Sequence, residues 1–285
     1  MKTRQLSLIL LAAAAFLTAC SHSAPQAPKG HLVIIGGGAR PDYMMDRFFD
    51  YGGGKDKPFV VITTASDNPG KTMVQMTEEF KRRGVENVRA VAPTRSQAGN
   101  EAYVDSLLDG VSGIYFSGGS QNRIADSLRC TLLHERLMKI YTDGGVIGGT
   151  SAGAGMMSDP MIVRNHKDGA DVPVNYIQEN FVYMLPGMGF LEGVLIDQHF
   201  IKRARENRSF SAVLEHPDMV LMGIDESTAL IVSSGTEFEV CGESCVMVME
   251  VDPKNVTRSE KGLLGTSGMT VRILLPGDTY SLRAL

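Results

Sequence analysis

Short runs of β-branched and apolar residues alternate with amphipathic stretches through the first half of the chain. The runs have the length and composition of buried strands, predicted over 32–35, 59–63, 88–91, 114–116 and 146–147. The stretches between them repeat apolar residues every three or four positions, which predicts helices over 43–49, 71–83, 102–108 and 121–141. This alternation predicts an α/β fold with a doubly wound, mostly parallel sheet and flanking helices.

Beyond residue 158 the pattern changes to loops and short strands. Residues 159–195 are rich in loop formers, with weaker strand patterns over 161–163 and 176–183. One helix is predicted over 201–214, followed by strands at hairpin spacing over 219–224, 229–232, 238–240, 246–251, 270–275 and 279–282. We predict a single catalytic α/β domain over 31–285, in which residues from 235 onward form a strand-rich C-terminal extension.

Residues 1–19 have the pattern of an export signal. Lys2 and Arg4 precede an apolar run over 6–16 that is short for a membrane span. Residues 17–20, LTAC, resemble a bacterial lipobox, which predicts cleavage before Cys20 and lipidation of that cysteine; an ordinary secretory signal is the alternative. Residues 20–30 form a Pro- and Ala-rich tether. Ser21 occupies the position at which an inner-membrane retention signal has an aspartate. We expect a lipid-anchored protein of the cell envelope, with the outer membrane favoured.

Composition excludes several classes of partner and cofactor. The net charge is −4 before the basic leader is removed, and the absence of a basic stripe excludes nucleic acid. Further Cys or His residues at ligand spacing are absent, so we predict no metal site. Cys241 and Cys245 suit either a local disulfide or two buried free thiols, and Cys130 lies among apolar helix residues and is predicted to be buried.

Two glycine-rich segments follow predicted strands. Gly149-x-Ser151-x-Gly153 has the G-x-S-x-G pattern of a nucleophile elbow, with a strand before it and small residues that open a helix after it. Such a turn exposes the serine hydroxyl and aims the N–H of Ala152 at a developing oxyanion. The segment 36–38 is all glycine, but Pro41 occupies the position where a dinucleotide-binding loop needs its third glycine. We therefore predict a nucleophilic serine and no nucleotide cofactor.

A nucleophilic serine needs a base and an acid that orients it. His166 lies in a polar loop, and His216 precedes a proline where a helix ends, whereas His199 follows a predicted strand and is the stronger candidate. Asp225 and Glu226 come at the end of another predicted strand, where active-site side chains of open α/β sheets collect. The pattern alone leaves the choice of acid open.

Four segments, in this order along the chain, together resemble the cyanophycinase family and the related aspartyl dipeptidase peptidase E. They are 116–124 (FSGGSQNRI), 148–154 (GGTSAGA), 196–205 (IDQHFIKRAR) and 223–229 (GIDESTA). The resemblance implies a fold like that of class I glutamine amidotransferases. It also implies that Ser151 is the nucleophile, His199 the general base and Glu226 the orienting acid.

The same resemblance assigns the neighbouring residues. The N–H groups of Gly119 and Ala152 are expected to form the oxyanion hole. The residues expected to bind substrate are Gln121, Asp197, Gln198, Arg203 and Arg205. Residues two apart on a helix do not share a face, so Arg203 is preferred over Arg205 as the arginine that contacts a substrate carboxylate. A homodimer is also implied.

The expected activity is that of an exported serine exopeptidase that hydrolyses aspartyl peptide bonds through an acyl-enzyme, without a metal. The expected substrate is cyanophycin or a similar polymer, from which β-Asp-Arg type dipeptides are released. Ser120 and the pair Glu206–Asn207 depart from the family pattern, and the loop between Ser151 and His199 is long, which leaves substrate identity open. The alternatives are a dipeptidase like peptidase E and a non-catalytic lipoprotein that binds peptides.

Overall fold

The computed structural model describes residues 27–164 and 176–282, and the expected lipidation site Cys20 and the loop histidine His166 lie outside them. The helices are α1 Asp42–Tyr51, α2 Pro69–Arg82, α3 Arg95–Ala98, α4 Glu101–Leu108, α5 Gln121–Leu128, α6 Leu132–Asp143, α7 Ala152–Gly155 and α8 Glu206–Glu215. The strands are β1 His31–Ile35, β2 Phe59–Ile62, β3 Val88–Val91, β4 Gly113–Phe116, β5 Val146–Thr150, β6 Met161–Arg164, β7 Tyr183–Leu185, β8 Val194–Gln198, β9 Val220–Ile224, β10 Thr228–Ser233, β11 Glu237–Gly242, β12 Val246–Val251, β13 Val256–Arg258, β14 Leu264–Thr266, β15 Met269–Leu274 and β16 Thr279–Ser281.

The main sheet has the strand order β16-β11-β10-β1-β5-β4-β2-β3. Its five strands from the first half of the chain are parallel, and β10, β11 and β16 extend one edge in antiparallel pairing. Most of the parallel strands are buried along their whole length, as expected for a sheet covered on both faces. The mostly parallel α/β sheet predicted from the sequence is confirmed.

A second sheet has the order β15-β12-β9-β8. Its β8 and β9 are parallel, with Gln198 opposite Ile224, so the residues that follow these two strands emerge side by side. The strand-rich C-terminal region is shared between the sheets, because β11 and β16 join the main sheet whereas β12 and β15 join the second. The second sheet therefore brings the segments after β8 and β9 toward the end of β5.

The two faces of the main sheet pack against different elements. On one face, Val33 and Ile35 of β1 pack with Phe48 of α1 and with Phe80 of α2. On the opposite face, alternate strand residues such as Leu32 pack with α5, α6, α7 and the apolar side of the second sheet. Since β5 pairs with β1 on one side and β4 on the other, all parallel, the residue that follows β5 lies between the ends of those two strands.

Several local predictions were wrong. The helix predicted from residue 201 begins at Glu206, because residues 201–204 form a turn in which Ala204 has a φ of 47°. Cys130 is exposed, since it occupies the left-handed turn between α5 and α6. Cys241 and Cys245 are free and partly buried, which corresponds to the free-thiol alternative. Within the two described ranges, no helix is both long and apolar enough to cross a membrane.

Candidate active site

Ser151 occupies a sharp turn between β5 and α7. Its backbone has a φ of 54° and a ψ of −112°, a strained combination for a residue with a side chain. Only glycine fits on either side: a Cβ on Gly149 would lie 2.6 Å from the Gly153 carbonyl carbon, and a Cβ on Gly153 would lie 2.8 Å from Phe116 Cβ. The spacing of small residues in the sequence therefore has the steric cause expected for a nucleophile elbow.

Ser151, His199 and Glu226 form a continuous hydrogen-bonded chain. His199 Nε2 lies 2.8 Å from Ser151 Oγ, and His199 Nδ1 lies 2.7 Å from Glu226 Oε1. Asp225, the other candidate acid, does not take part; its carboxylate accepts hydrogen bonds from Lys202 N at 3.0 Å and from Ser244 Oγ at 2.8 Å. The arrangement has the geometry of a nucleophile, a base and an orienting acid.

Three consecutive backbone carbonyl groups at the end of β1 accept hydrogen bonds from the main chain of the three segments that carry these side chains. The carbonyl of Ile35 accepts a hydrogen bond from Ser151 N at 3.0 Å. That of Gly36 accepts from His199 N at 2.7 Å, and that of Gly37 accepts from Ser227 N at 2.8 Å. Ser151, His199 and Ser227 all have positive φ angles, so the end of β1 stabilises three strained residues that follow β5, β8 and β9.

This role of the glycines was missed from the sequence. A Cβ on Gly37 would overlap the His199 ring, 2.5 Å from Nδ1, and a Cβ on Gly38 would lie 2.8 Å from Glu226 Cβ. The available signal was the triplet 36–38 itself, whose pattern was compared above only with that of a nucleotide-binding loop. The triplet instead allows the base and the acid to approach the end of β1.

The surroundings of His199 favour its neutral form. Burial lowers the pKa of His199 below its usual value, the hydrogen bond with Glu226 opposes this shift, and the charges of Arg203 and Arg205 lower the pKa further. A base must be unprotonated to accept the serine proton, so the lowered pKa keeps His199 competent at and somewhat below neutral pH.

The turn after β4 lies against the nucleophile. A Cβ on Gly118 would lie 3.3 Å from Ser151 Cβ, and Gly119 has a φ of +139° with no room for a side chain beside the Ala65 carbonyl. Among the described residues, the N–H groups of Gly119 and Ala152 have no hydrogen-bond acceptor. The two expected oxyanion donors are thus unpaired N–H groups beside Ser151, as an oxyanion hole requires.

The two expected substrate-binding amides converge over α7. A Cβ on Gly155 would lie 3.6 Å from Gln198 Nε2 and 3.8 Å from Gln121 Nε2. Gln121 Nε2 donates to the Ile162 carbonyl at 2.7 Å, and Arg205 donates to Gln198 Oε1 at 2.5 Å. Both amides are almost fully buried, and the hydrogen bond to Gln198 brings the Arg205 side chain to the same group.

Asp197 has a different position from the one expected for a substrate-binding residue. Its carboxylate is fully buried and is held by two arginines, Arg205 at the end of the segment and Arg208 in α8, and by Ser209 Oγ at 3.0 Å. Burial alone would raise the pKa of Asp197, but the two arginines outweigh it and lower the pKa. With no exposed surface, Asp197 fixes the arginines rather than contacting a ligand. Arg208 was missed because its position within α8 suggested an ordinary helix residue.

Arg203, the preferred carboxylate contact, is exposed on the turn that follows His199. The backbone N–H of Arg203 donates to the backbone carbonyl of His199 at 3.0 Å, so the turn places the arginine close to His199. Across the described ranges, no acidic side chain forms an ion pair with its guanidinium. Arg203 therefore remains available to an anionic group of a substrate.

Comparison with known proteins assigns this arrangement to a family. The model of peptidase family S51 matches residues 32–240, which include the three residues of the hydrogen-bonded chain. A cyanophycinase of Nostoc sp. is 28% identical over 268 residues, covering 90% of this chain and 87% of the relative. A cyanophycinase of Synechococcus elongatus is 30% identical over 266 residues, covering 90% of this chain and 80% of the relative.

A solved structure shares the fold. The crystal structure of a peptidase from an acI-B1 actinobacterium superposes with a TM-score of 0.67 at 24% sequence identity, covering 90% of this chain and 98% of that one. The similarity to the cyanophycinases and the family match together indicate a hydrolase of the serine peptidase type. The chain therefore belongs to peptidase family S51.

Proposed function

We propose that the protein is a cyanophycinase-type exopeptidase that hydrolyses aspartyl peptide bonds through an acyl-enzyme on Ser151. The observation that supports this most directly is the hydrogen-bonded chain from Ser151 Oγ through His199 to Glu226, with distances of 2.8 and 2.7 Å. In this proposal His199 accepts the hydroxyl proton as Ser151 Oγ attacks the scissile carbonyl carbon. The resulting oxyanion is stabilised by the free N–H groups of Gly119 and Ala152.

The second half of the cycle uses the same groups. His199 Nε2 returns the proton to the leaving amine when the tetrahedral intermediate collapses, which leaves the acyl group on Ser151. Water then attacks the ester, His199 accepts its proton, and the proton returns to Ser151 Oγ as the acid product leaves. Glu226 orients the imidazole and stabilises its protonated form in both halves.

The preference for aspartyl groups rests on the residues around Ser151. Buried amides from Gln121 and Gln198 provide hydrogen-bonding groups on one side, and the exposed Arg203 provides a positive charge on the turn after His199. An arginine fork suits a carboxylate because it can donate two parallel hydrogen bonds. Because two relatives are named cyanophycinase, we propose cyanophycin as the substrate and β-Asp-Arg dipeptides as the products.

Incubation of the purified protein with cyanophycin, and separately with α- and β-aspartyl dipeptides, tests the substrate. We expect cyanophycin to be degraded to β-Asp-Arg dipeptides, and we expect no degradation by Ser151→Ala. Cleavage of α-aspartyl dipeptides with cyanophycin left intact would instead indicate a dipeptidase like peptidase E. No labelling of the wild type by a fluorophosphonate, or equal labelling of the wild type and Ser151→Ala, would count against Ser151 as a nucleophile and favour a peptide-binding protein without catalysis.

We also propose that the mature protein is exported and anchored by lipid on Cys20. The basic residues Lys2 and Arg4, the apolar run and the LTAC segment support this proposal. Metabolic labelling with palmitate in a bacterial host should label the wild type and Cys130→Ser, which retains the lipobox. Labelling of Cys20→Ser, or recovery of the wild type in the soluble fraction, would contradict the anchor.

A further inference from the structure

A cleft lies beside the turn after β4 that contains Gly118 and Gly119. It is on the face of the main sheet opposite the side-chain amides of Gln121 and Gln198. Its volume is about 560 Å³, and its walls include Arg40, Glu78 and Arg82 together with Ser117 and Gly118. Glu78 and Arg82 belong to α2, which packs on the same sheet face as α1. We call this feature the α2 cleft.

The α2 cleft reaches the reaction centre through Gly118. This residue lines the cleft, and a Cβ on it would lie 3.3 Å from Ser151 Cβ. Gln121 and Gln198 lie on the other side of Ser151, over α7. A peptide whose scissile carbonyl rests between Ser151 and the oxyanion donors therefore has one portion over α7 and the other in the α2 cleft.

The charges in the α2 cleft are held in place or unpaired. Arg40 donates two hydrogen bonds to Glu79, with Nε at 3.0 Å from Oε1, and its side chain stays 21% exposed. Glu79 also pairs with Arg83 at 2.8 Å, so its negative charge is compensated from two sides. Arg82 and Glu78 are exposed, and within the described ranges neither has an ion-pair partner, although they stand four residues apart on the same helix.

We propose that the α2 cleft binds the leaving group of the reaction, through the carboxylate of that group at Arg82 and a cationic side chain at Glu78. This inference rests on the proposed peptidase function, because only a peptide substrate has such a leaving group. Glu78 and Arg82 present charges of opposite sign on neighbouring turns of one helix, which match a ligand that carries both a guanidinium and a carboxylate. Arg40 adds a second positive charge to the wall of the α2 cleft.

The leaving group departs before the acyl-enzyme is hydrolysed, which separates its binding site from the site of the acyl group. A residue that binds only the leaving group affects acylation, and hence kcat/KM, and does not affect deacylation. A residue that binds the acyl group affects both steps. The rate of deacylation therefore tests which portion of the substrate occupies the α2 cleft.

The test compares two peptides that differ only in a free or an amidated carboxylate on the leaving group. The wild type is expected to have a kcat/KM about tenfold higher for the free carboxylate, the typical effect of one hydrogen bond to a charged group. In Arg82→Gln this preference should disappear while the deacylation rate stays unchanged. Lys81→Gln, an exposed cation on α2 that does not line the cleft, should retain the preference.

A second variant and a binding measurement separate this inference from the proposed function. Glu78→Gln should lower the kcat/KM for leaving groups with a basic side chain and leave neutral ones unchanged. If neither peptide is hydrolysed, the proposed function fails, and calorimetric titration of Ser151→Ala with β-Asp-Arg decides the role of the cleft. The assignment of the α2 cleft to the leaving group would be overturned if Ser151→Ala and the double variant Ser151→Ala/Arg82→Gln bound β-Asp-Arg with equal affinity. It would also be overturned if Arg82→Gln kept the wild-type preference for a free carboxylate.

Discussion

Replacing Gly37 by alanine tests whether the end of β1 positions His199, the proposed base. The new Cβ would lie 2.5 Å from His199 Nδ1 and 2.8 Å from Nε2, whereas ordinary contacts begin near 3.4 Å. The ring must therefore move by roughly 1 Å, which would lengthen the 2.8 Å bond to Ser151 Oγ beyond hydrogen-bonding distance. A misplacement of about 1 Å at a reacting group typically costs about 100-fold in rate. We expect kcat/KM of Gly37→Ala to fall by about that factor.

The backbone conformation needs its own control, because Gly37 has a φ of +124° that alanine adopts only with strain. Gly144 has a φ of +123°, and a Cβ on it would meet no atom within 4 Å. Gly144→Ala should therefore lose about 1–3 kcal/mol of stability, as Gly37→Ala does, while keeping its activity. Steady-state hydrolysis and urea denaturation of both variants measure these effects. Activity of Gly37→Ala within about threefold of the wild type would refute the positioning role.

Glu226→Gln should lower kcat by about 10³ to 10⁴, since it removes the charge that stabilises the imidazolium, and steady-state kinetics measure this. Because the charge of Arg203 lowers the pKa of His199, Arg203→Gln should move the acidic limb of the kcat/KM profile to higher pH; a limb that stays in place would contradict this electrostatic contribution. Asp197→Ala leaves Arg208 buried without its partner and should cost about 3–5 kcal/mol of unfolding free energy in urea. Wild-type stability in that variant would mean that the pair is not structural.

Periodicity was sufficient for the parallel half of the fold. The strands around β5 alternate with amphipathic helices, and the G-x-S-x-G spacing at Ser151 reflects contacts that only glycine permits. The base and the acid were harder to choose from residue patterns, because they lie on a second sheet whose register with β5 no local pattern encodes. The position of His199 after a predicted strand made it the stronger histidine, whereas only the resemblance of whole segments selected Glu226; the hydrogen bonds of both residues agree with the expected roles.

Tertiary contacts explain what the pattern did not predict. The helix expected from residue 201 is replaced at its start by a turn, which Asp225 holds through the N–H of Lys202. Gly37 showed no periodic signal, since its role is to contact a ring that lies far along the chain. Asp197 lies in a polar segment next to the base, and only its burial shows that it pairs with Arg208 instead of lining the surface.

The central claim is that Ser151 forms a covalent intermediate with an aspartyl substrate. Rapid mixing with cyanophycin, acid quenching and mass spectrometry of the digested protein would detect that intermediate. We predict an acyl adduct on the peptide that contains Ser151 in the wild type, a larger amount in a variant with slowed deacylation, and none in Ser151→Ala. Turnover of cyanophycin without any adduct on that peptide, or with an equal adduct in Ser151→Ala, would contradict the mechanism.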